Sequence, residues 1–201
     1  MLDVQRRFAE GEVHLKKALE LEPFAPYYNV VLCQHYYYDK KWSEALKYCE
    51  RSQTIEPDYF LALKRLYWIY VMQGRWDEVI KLAYSETTVD EARNDPLLRP
   101  LLNGDPRGYW EVNLQDRLAN QRKRPSPVAI ANYYAMLGDK QKTLDHLEEA
   151  VATNSEQAKF INPDPIFDLV RAEQRYKDIM KLLGVAPGDA QNEATRSTVT
   201  N

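Results

Sequence analysis

The chain has 201 residues, enough for one extended domain, and 44% of them are hydrophobic, enough to supply its core. With 27 basic against 30 acidic residues the formal charge is −3, too mild to make nucleic acid or an anionic membrane surface the expected partner. No apolar run approaches the roughly eighteen residues of a membrane span, and residues 1–10 carry Asp3, Arg6 and Arg7 where a secretory leader would be apolar. Only seven glycines leave most of the chain free to be helical, and nothing in the pattern suggests a sheet.

Four pairs of positions stand 34 residues apart: Pro23 and Pro57, Leu32 and Leu66, Tyr36 and Tyr70, Trp42 and Trp76. A fixed period of this length marks stacked copies of one supersecondary unit. One further step back from Trp42 reaches Phe8, and a small or short apolar residue follows at Gly11, Ala45 and Val79. In residues 1–25, Phe8, Leu15, Ala18, Leu19 and Leu21 match only the second helix of such a unit. Either Met1 is an internal start or residues 1–7 extend a helix whose partner comes from elsewhere; a piece of a longer protein is the favoured reading.

Residues 26–59 carry the unit most clearly, with Leu32, Cys33 and Tyr36 on a first helix. On the second, Trp42, Ala45, Leu46, Cys49, Ser52 and Ile55 step by three or four and form one stripe. Ser43, Glu44, Lys47, Glu50 and Arg51 form the opposite face. Such a hairpin cannot bury its stripe alone, so copies stack, and Cys33 and Ala45 sit where two helices approach most closely. These residues resemble the tetratricopeptide repeat, with its aromatic and small positions on two antiparallel helices and a closing proline, here Pro57. The resemblance implies an all-α, right-handed α-solenoid of antiparallel helix hairpins.

Residues 60–90 repeat the layout with Leu66, Tyr67, Tyr70, Gly74, Trp76, Val79, Ile80 and Ala83, although Glu91 stands where the closing proline belongs. Tyr134 and Gly138 lie 64 residues beyond Tyr70 and Gly74, so an irregular, shortened unit occupies 91–124. Leu97, Leu98, Leu101 and Leu102 form its first stripe, Trp110, Val112, Leu114 and Leu118 its second, and Asn103-Gly104-Asp105-Pro106 the turn between them. A regular copy follows over 125–154, with Ile130, Ala131 and Tyr134, then Leu144, Leu147, Ala150 and Val151.

The segment 160–184 resembles the closing element of repeat regions at the C-termini of bacterial multidomain regulators. An aspartate-proline turn, Asp164-Pro165, leads into Phe167-Asp168, and a last helix ends at Leu183-Gly184; Ala172-Glu173-Gln174 departs from that pattern. Arg175, Lys177, Asp178 and Lys181 supply the polar outer face that a terminal element needs. Residues 185–201 have almost no apolar side chain and are expected to be a disordered tail.

Cys33 and Cys49 fall on facing sides of one hairpin, so a disulfide is open to them. Both also occupy positions that want a small apolar residue, and free cysteines packed in the core are the expected state. Arg122-Lys123-Arg124 is read as complementing a helix C-terminus in preference to forming an anion site. Catalytic and phosphate-binding motifs are absent, and His14, His35 and His146 lack ligand spacing, so no enzyme activity, metal or cofactor is expected.

The expected function is binding: a scaffold that holds a peptide or partner protein in its concave groove, as the C-terminal part of a larger bacterial signalling or transcriptional regulator. A small-molecule sensor is the alternative. The chain is expected in the cytoplasm, or outside it if an upstream membrane span exists. First helices line the concave side. Their candidate contact residues are Tyr27, Gln34, Tyr37 and Tyr38, then Lys64, Arg65, Trp68 and Met72, then Asn132 and Met136. Tetratricopeptide domains that clamp a peptide carboxylate suggest such a role for Lys64 and Arg65, although the full clamp pattern is not present. Tyr36, Tyr70 and Tyr134 are expected in the core.

Overall fold

The computed structural model describes residues 2–84, 94–119 and 125–185. Met1, Glu91, the cluster Arg122-Lys123-Arg124 and the tail beyond Val185 lie outside the described residues. All regular structure described is helical, and sequence neighbours pack as pairs. Helix α1 (Phe8–Leu21) lies on α2 (Pro26–Tyr38). Next come the pairs α2 with α3 (Trp42–Ile55), α4 (Phe60–Met72) with α5 (Trp76–Tyr84), α6 (Arg99–Leu102) with α7 (Pro106–Ala119), and α8 (Pro127–Met136) with α9 (Lys140–Ala152). The described residues close with two 3-10 segments, Glu156–Phe160 and Pro165–Val170, and helix α10 (Gln174–Leu182).

Each regular hairpin ends its first helix in the same way. The backbone N–H groups of Lys41, Arg75 and Asp139 donate to the carbonyls of Tyr36, Tyr70 and Tyr134, each at 2.9 Å. This bond closes the helix end around one left-handed residue. Gly74 (φ +66°) and Gly138 (φ +78°) take that conformation freely, whereas Lys40 (φ +57°) takes it against its own Cβ and pairs its ammonium with Asp168. The repeated tyrosine in the sequence therefore marks the carbonyl that receives this bond.

The stripe of α3 is buried as its spacing predicts, with Ala45, Cys49 and Ser52 wholly inside. The expectation of free thiols is corrected: Cys33 and Cys49 are joined as a disulfide, with their Cα atoms 5.3 Å apart. The small side chains that let α2 and α3 approach closely also bring the two sulfurs within bonding reach. In the shortened unit the first limb includes the four-residue helix α6, Leu101 and Leu114 are buried, and Leu102 and Leu118 are exposed.

Three apolar clusters run through the array: one between α1, α2, α3 and α4, one between α4, α5, α6 and α7, and one between α8, α9 and the C-terminal segment. Trp68 on α4 packs against all three. In the last cluster Ile161, Phe167, Val170, Tyr176, Ile179 and Met180 are almost wholly buried, and Arg175 ties α10 to α9 through Asp145 (2.7 Å) and Glu148 (2.8 Å).

The C-terminal segment also reaches back to the beginning of the chain. Asn162 Nδ2 donates to the Val4 carbonyl at 2.8 Å, Tyr37 Oη donates to Asp164 Oδ1 at 3.0 Å, and Lys40 pairs with Asp168. Arg171 braces this segment internally, donating to the carbonyls of Asn162 (2.7 Å) and Asp164 (3.2 Å). The array is thus curled so that its last element touches its first hairpin. An open stack would make none of these contacts.

The disulfide encloses a short loop, with a sequence separation of 16, and cross-links of that length stabilise by about 3 kcal/mol through the unfolded chain. Replacing both Cys33 and Cys49 by Ala is expected to lower the denaturation free energy by about that amount while keeping the helical circular dichroism. Equal chemical stability of the oxidised chain and the double variant would contradict the cross-link.

Candidate functional site

The curl encloses a groove of about 800 Å³, walled by α2, α4, α7, α8 and the C-terminal segment. Its exposed rim is apolar. Tyr27 at the start of α2 is 55% exposed, Phe60 at the start of α4 is 69% exposed, and Leu61 and Phe160 stand beside the same opening. The groove is also lined by Val30, Val31 and Gln34 of α2, and Lys64, Asn113 and Asn132 add polar groups. The buried side chains of Tyr38, Trp110 and Phe167 form the floor.

One wall is a continuous set of aromatic rings. Trp68 and Trp110 stack with their planes within 5° and centroids 6.1 Å apart, and Tyr133 meets Trp110 edge-on at 5.9 Å. Behind them the hydroxyls of Tyr67 and Tyr109 share a 2.9 Å hydrogen bond. Burial pushes the Tyr67 phenol far above its ordinary pKa, so it stays neutral and both hydroxyls serve as packing partners. Rings locked in this way form a preshaped surface that loses little side-chain entropy on contact.

Asp164 and Arg65 bring charge to the groove. Asp164 caps the 3-10 segment Pro165–Val170, accepting from the Ile166 amide at 3.1 Å as well as from Tyr37. Both bonds fall on Oδ1. The Arg65 guanidinium lies 4.8 Å from the Tyr37 ring centre and 5.6 Å from that of Tyr38, a cation over two aromatic faces. It forms no ion pair with any carboxylate among the described residues. Burial raises the Asp164 carboxyl above its ordinary range, against the opposing pull of Arg65, the Ile166 amide and the Tyr37 hydroxyl. Tyr38 is pushed up to about 12 by burial and accepts a 2.7 Å hydrogen bond from Gln34 Nε2.

The structure brings Tyr27, Gln34, Tyr38, Lys64, Arg65, Trp68 and Asn132 together on this one groove. Three other candidates lie elsewhere. Tyr37 is wholly buried, its ring beneath Arg65 and its hydroxyl spent on Asp164. Met72 and Met136 pack against the apolar clusters instead of lining the groove. On a first helix flanked by neighbours on both sides, positions 37, 72 and 136 turn into the contact between hairpins, because more than one stripe is covered. Tyr38, taken from sequence as a surface residue, is only 4% exposed.

The sequence reading places the helix that is α7 but not its contribution to the groove, where this second helix supplies Tyr109, Trp110, Asn113 and Arg117. It also missed Gln157, Phe160, Asp164 and Phe167, which arrive only through the curl. The one available signal was Asp164-Pro165, a capping residue before a helix-starting proline. Among the described residues, no three His, Cys, Asp or Glu side chains converge as a metal site, and no helix is long and apolar enough to cross a membrane.

Fold and site together define an array of helical hairpins with a half-enclosed, aromatic-walled groove. Compared with known protein families, with curated proteins and with solved structures, the chain matches none.

The raised carboxyl pKa of Asp164 sets the sign of a pH effect. The folded chain holds this proton more tightly than the unfolded one, so the group disfavours folding above its folded pKa and that penalty is relieved as pH falls through it. Relative to Asp164→Asn, the native chain is expected to gain melting temperature on acidification from neutral pH towards the carboxylate range. A difference that stays constant would show that Asp164 is ordinarily solvated, and one that moves the other way would show that its partners outweigh its burial.

Proposed function

We propose that this chain is a protein-interaction module whose concave groove takes an extended segment of a partner protein. In this reading the array is a right-handed solenoid of tetratricopeptide-like hairpins with a C-terminal cap, the C-terminal part of a larger bacterial signalling or transcriptional regulator, and it acts by binding and not by chemistry. The observation that supports it most is the combination of exposed Tyr27, Phe60, Leu61 and Phe160 around one opening with ordered aromatic and amide groups inside it. Large apolar side chains held in water around a concavity mark a contact surface.

A second reading, a small-molecule sensor, draws on the volume of about 800 Å³, which falls within the range of ligand cavities. The wide apolar rim favours the peptide. The Cys33–Cys49 disulfide favours an oxidising compartment over the cytoplasm that the sequence suggested.

Peptides selected from a randomised hexapeptide library against the native chain are expected to lose about tenfold in affinity when Phe60 and Lys64 are both replaced by Ala. Both side chains are exposed, so the melting temperature is expected to stay within about 2 °C. Selected peptides that bind the double variant as tightly as the native chain would place recognition outside the groove.

A further inference from the structure

The groove reverses the charge balance of the chain. Overall the acidic residues outnumber the basic ones, 30 to 27. Among the described residues that line the groove, Lys64, Arg65 and Arg117 are cations and Asp164 is the one acid. Elsewhere cations close on neighbouring carboxylates, as Arg75 does on Glu78 (2.6 Å), Arg107 on Glu111 (3.0 Å) and Arg175 on Asp145 (2.7 Å). None of the three groove cations forms an ion pair with a carboxylate among the described residues. Asp164 is one charge against three, and it already accepts from the Ile166 amide and the Tyr37 hydroxyl.

These cations flank the aromatic wall. Trp68 of α4 stacks on Trp110 of α7, and from that contact the lining positions step by three or four along each helix, back through Lys64 to Phe60 on α4 and forward through Asn113 to Arg117 on α7. Lys64 is thus one turn from the stacked pair, about 6 Å along α4, and Arg117 two turns, about 10 Å along α7. Arg117 adjoins the hydroxyl of Tyr133, the third ring of the wall. An extended chain lying along either helix advances about 3.4 Å per residue, so side chains two or three positions from the one on the wall meet these cations.

Cations among aromatic rings also suit single-stranded nucleic acid, which needs open ring faces for its bases and a cationic track for its phosphates. Here Trp68 and Trp110 spend faces on each other, Tyr133 meets Trp110 edge-on, and beside Lys64 the rim is the apolar pair Phe60 and Leu61. A chain that mixes apolar and acidic side chains matches this surface better.

Resting on the peptide reading given above, we propose that the groove selects an acidic segment of its partner, in which a large apolar residue set against Trp68 and Tyr133 is flanked within two or three positions by aspartate or glutamate. Lys64 and Arg117 pair with the flanking carboxylates, and Arg65 adds a third positive charge to the same groove. The charges read are those of side chains, so a segment from the interior of the partner serves as well as an end.

The test uses three pools of dye-labelled octapeptides with both ends blocked, so that only side chains differ in charge. All hold the same randomised apolar residues; the positions between are Asp and Glu in the first pool, Asn and Gln in the second, Lys and Arg in the third. A labelled single-stranded oligodeoxynucleotide of mixed sequence is a fourth probe, and each is titrated with the full chain by fluorescence anisotropy. The acidic pool is expected to bind about tenfold or more tighter than its amide counterpart, and the basic pool more weakly than either. Replacing Lys64 and Arg117 together by Gln, both at exposed positions, is expected to bring the acidic pool down to the level of the amide pool. The contrast between pools on the native chain stands even if that variant folds poorly. Equal binding of the acidic and amide pools, or an acidic preference that survives in a folded double variant, would overturn the acidic selection and leave the peptide reading intact. Tighter binding of the oligonucleotide than of any peptide pool would overturn the peptide occupant. No binding of any pool would overturn both the selection and the reading on which it rests.

Discussion

A carboxylate near the end of the chain, Asp164, accepts a hydrogen bond from Tyr37, 127 residues earlier, and the shape of the molecule follows from that closure. Stacked helical hairpins are held by contacts between neighbours, which fix each step of the curve but leave its far ends independent. Here the ends meet. Asn162 bonds the Val4 carbonyl, Lys40 reaches Asp168, and Arg171 holds the carbonyls of Asn162 and Asp164 so that the closing segment keeps its form. What would be an open concave face becomes a half-enclosed groove.

The closure has an energetic cost that is visible in the same residues. Removing a carboxylate from water is unfavourable unless hydrogen bonds and opposite charge replace the lost solvation. Asp164 receives the Ile166 amide, the Tyr37 hydroxyl and the nearby field of Arg65, and its carboxyl pKa still stands above the ordinary range. The replacement is thus incomplete. Groups left polar and unpaired inside a groove of fixed aromatic walls are those that a ligand can satisfy. Trp68 completes the arrangement by packing on all three apolar clusters, so the ring that lines the groove is also the one that joins the hairpins.

Much of the helical architecture was legible in the sequence because it repeats. The spacing of Tyr36, Tyr70 and Tyr134 returns as one helix-ending hydrogen bond, and the stripe of Ala45, Cys49 and Ser52 is the buried face of α3. The groove was only partly legible. Gln34, Lys64, Arg65 and Asn132 follow from the rule that first helices face inward, but the same rule misplaced Tyr37, Met72 and Met136, which are consumed between hairpins. Nothing local announces the curl: Asn162 and Asp164 read as turn residues, and their partners Val4 and Tyr37 are set by the cumulative angle of the intervening helices. The disulfide is not legible in the sequence, because small apolar positions accept cysteine in either state and only the close approach of α2 and α3 decides between them.

The most direct measurement is nuclear Overhauser contact in the dissolved chain between the Tyr37 ring and the Ile166 amide, together with contact between the Asn162 side-chain amide and Val4. The closed array predicts both, since Tyr37 and the Ile166 amide share Asp164 Oδ1 at 3.0 and 3.1 Å and Asn162 lies 2.8 Å from the Val4 carbonyl. Contacts of residues 160–184 with α8 and α9 alone, and none with α2 or residues 2–6, would show an open stack and contradict the groove at its foundation.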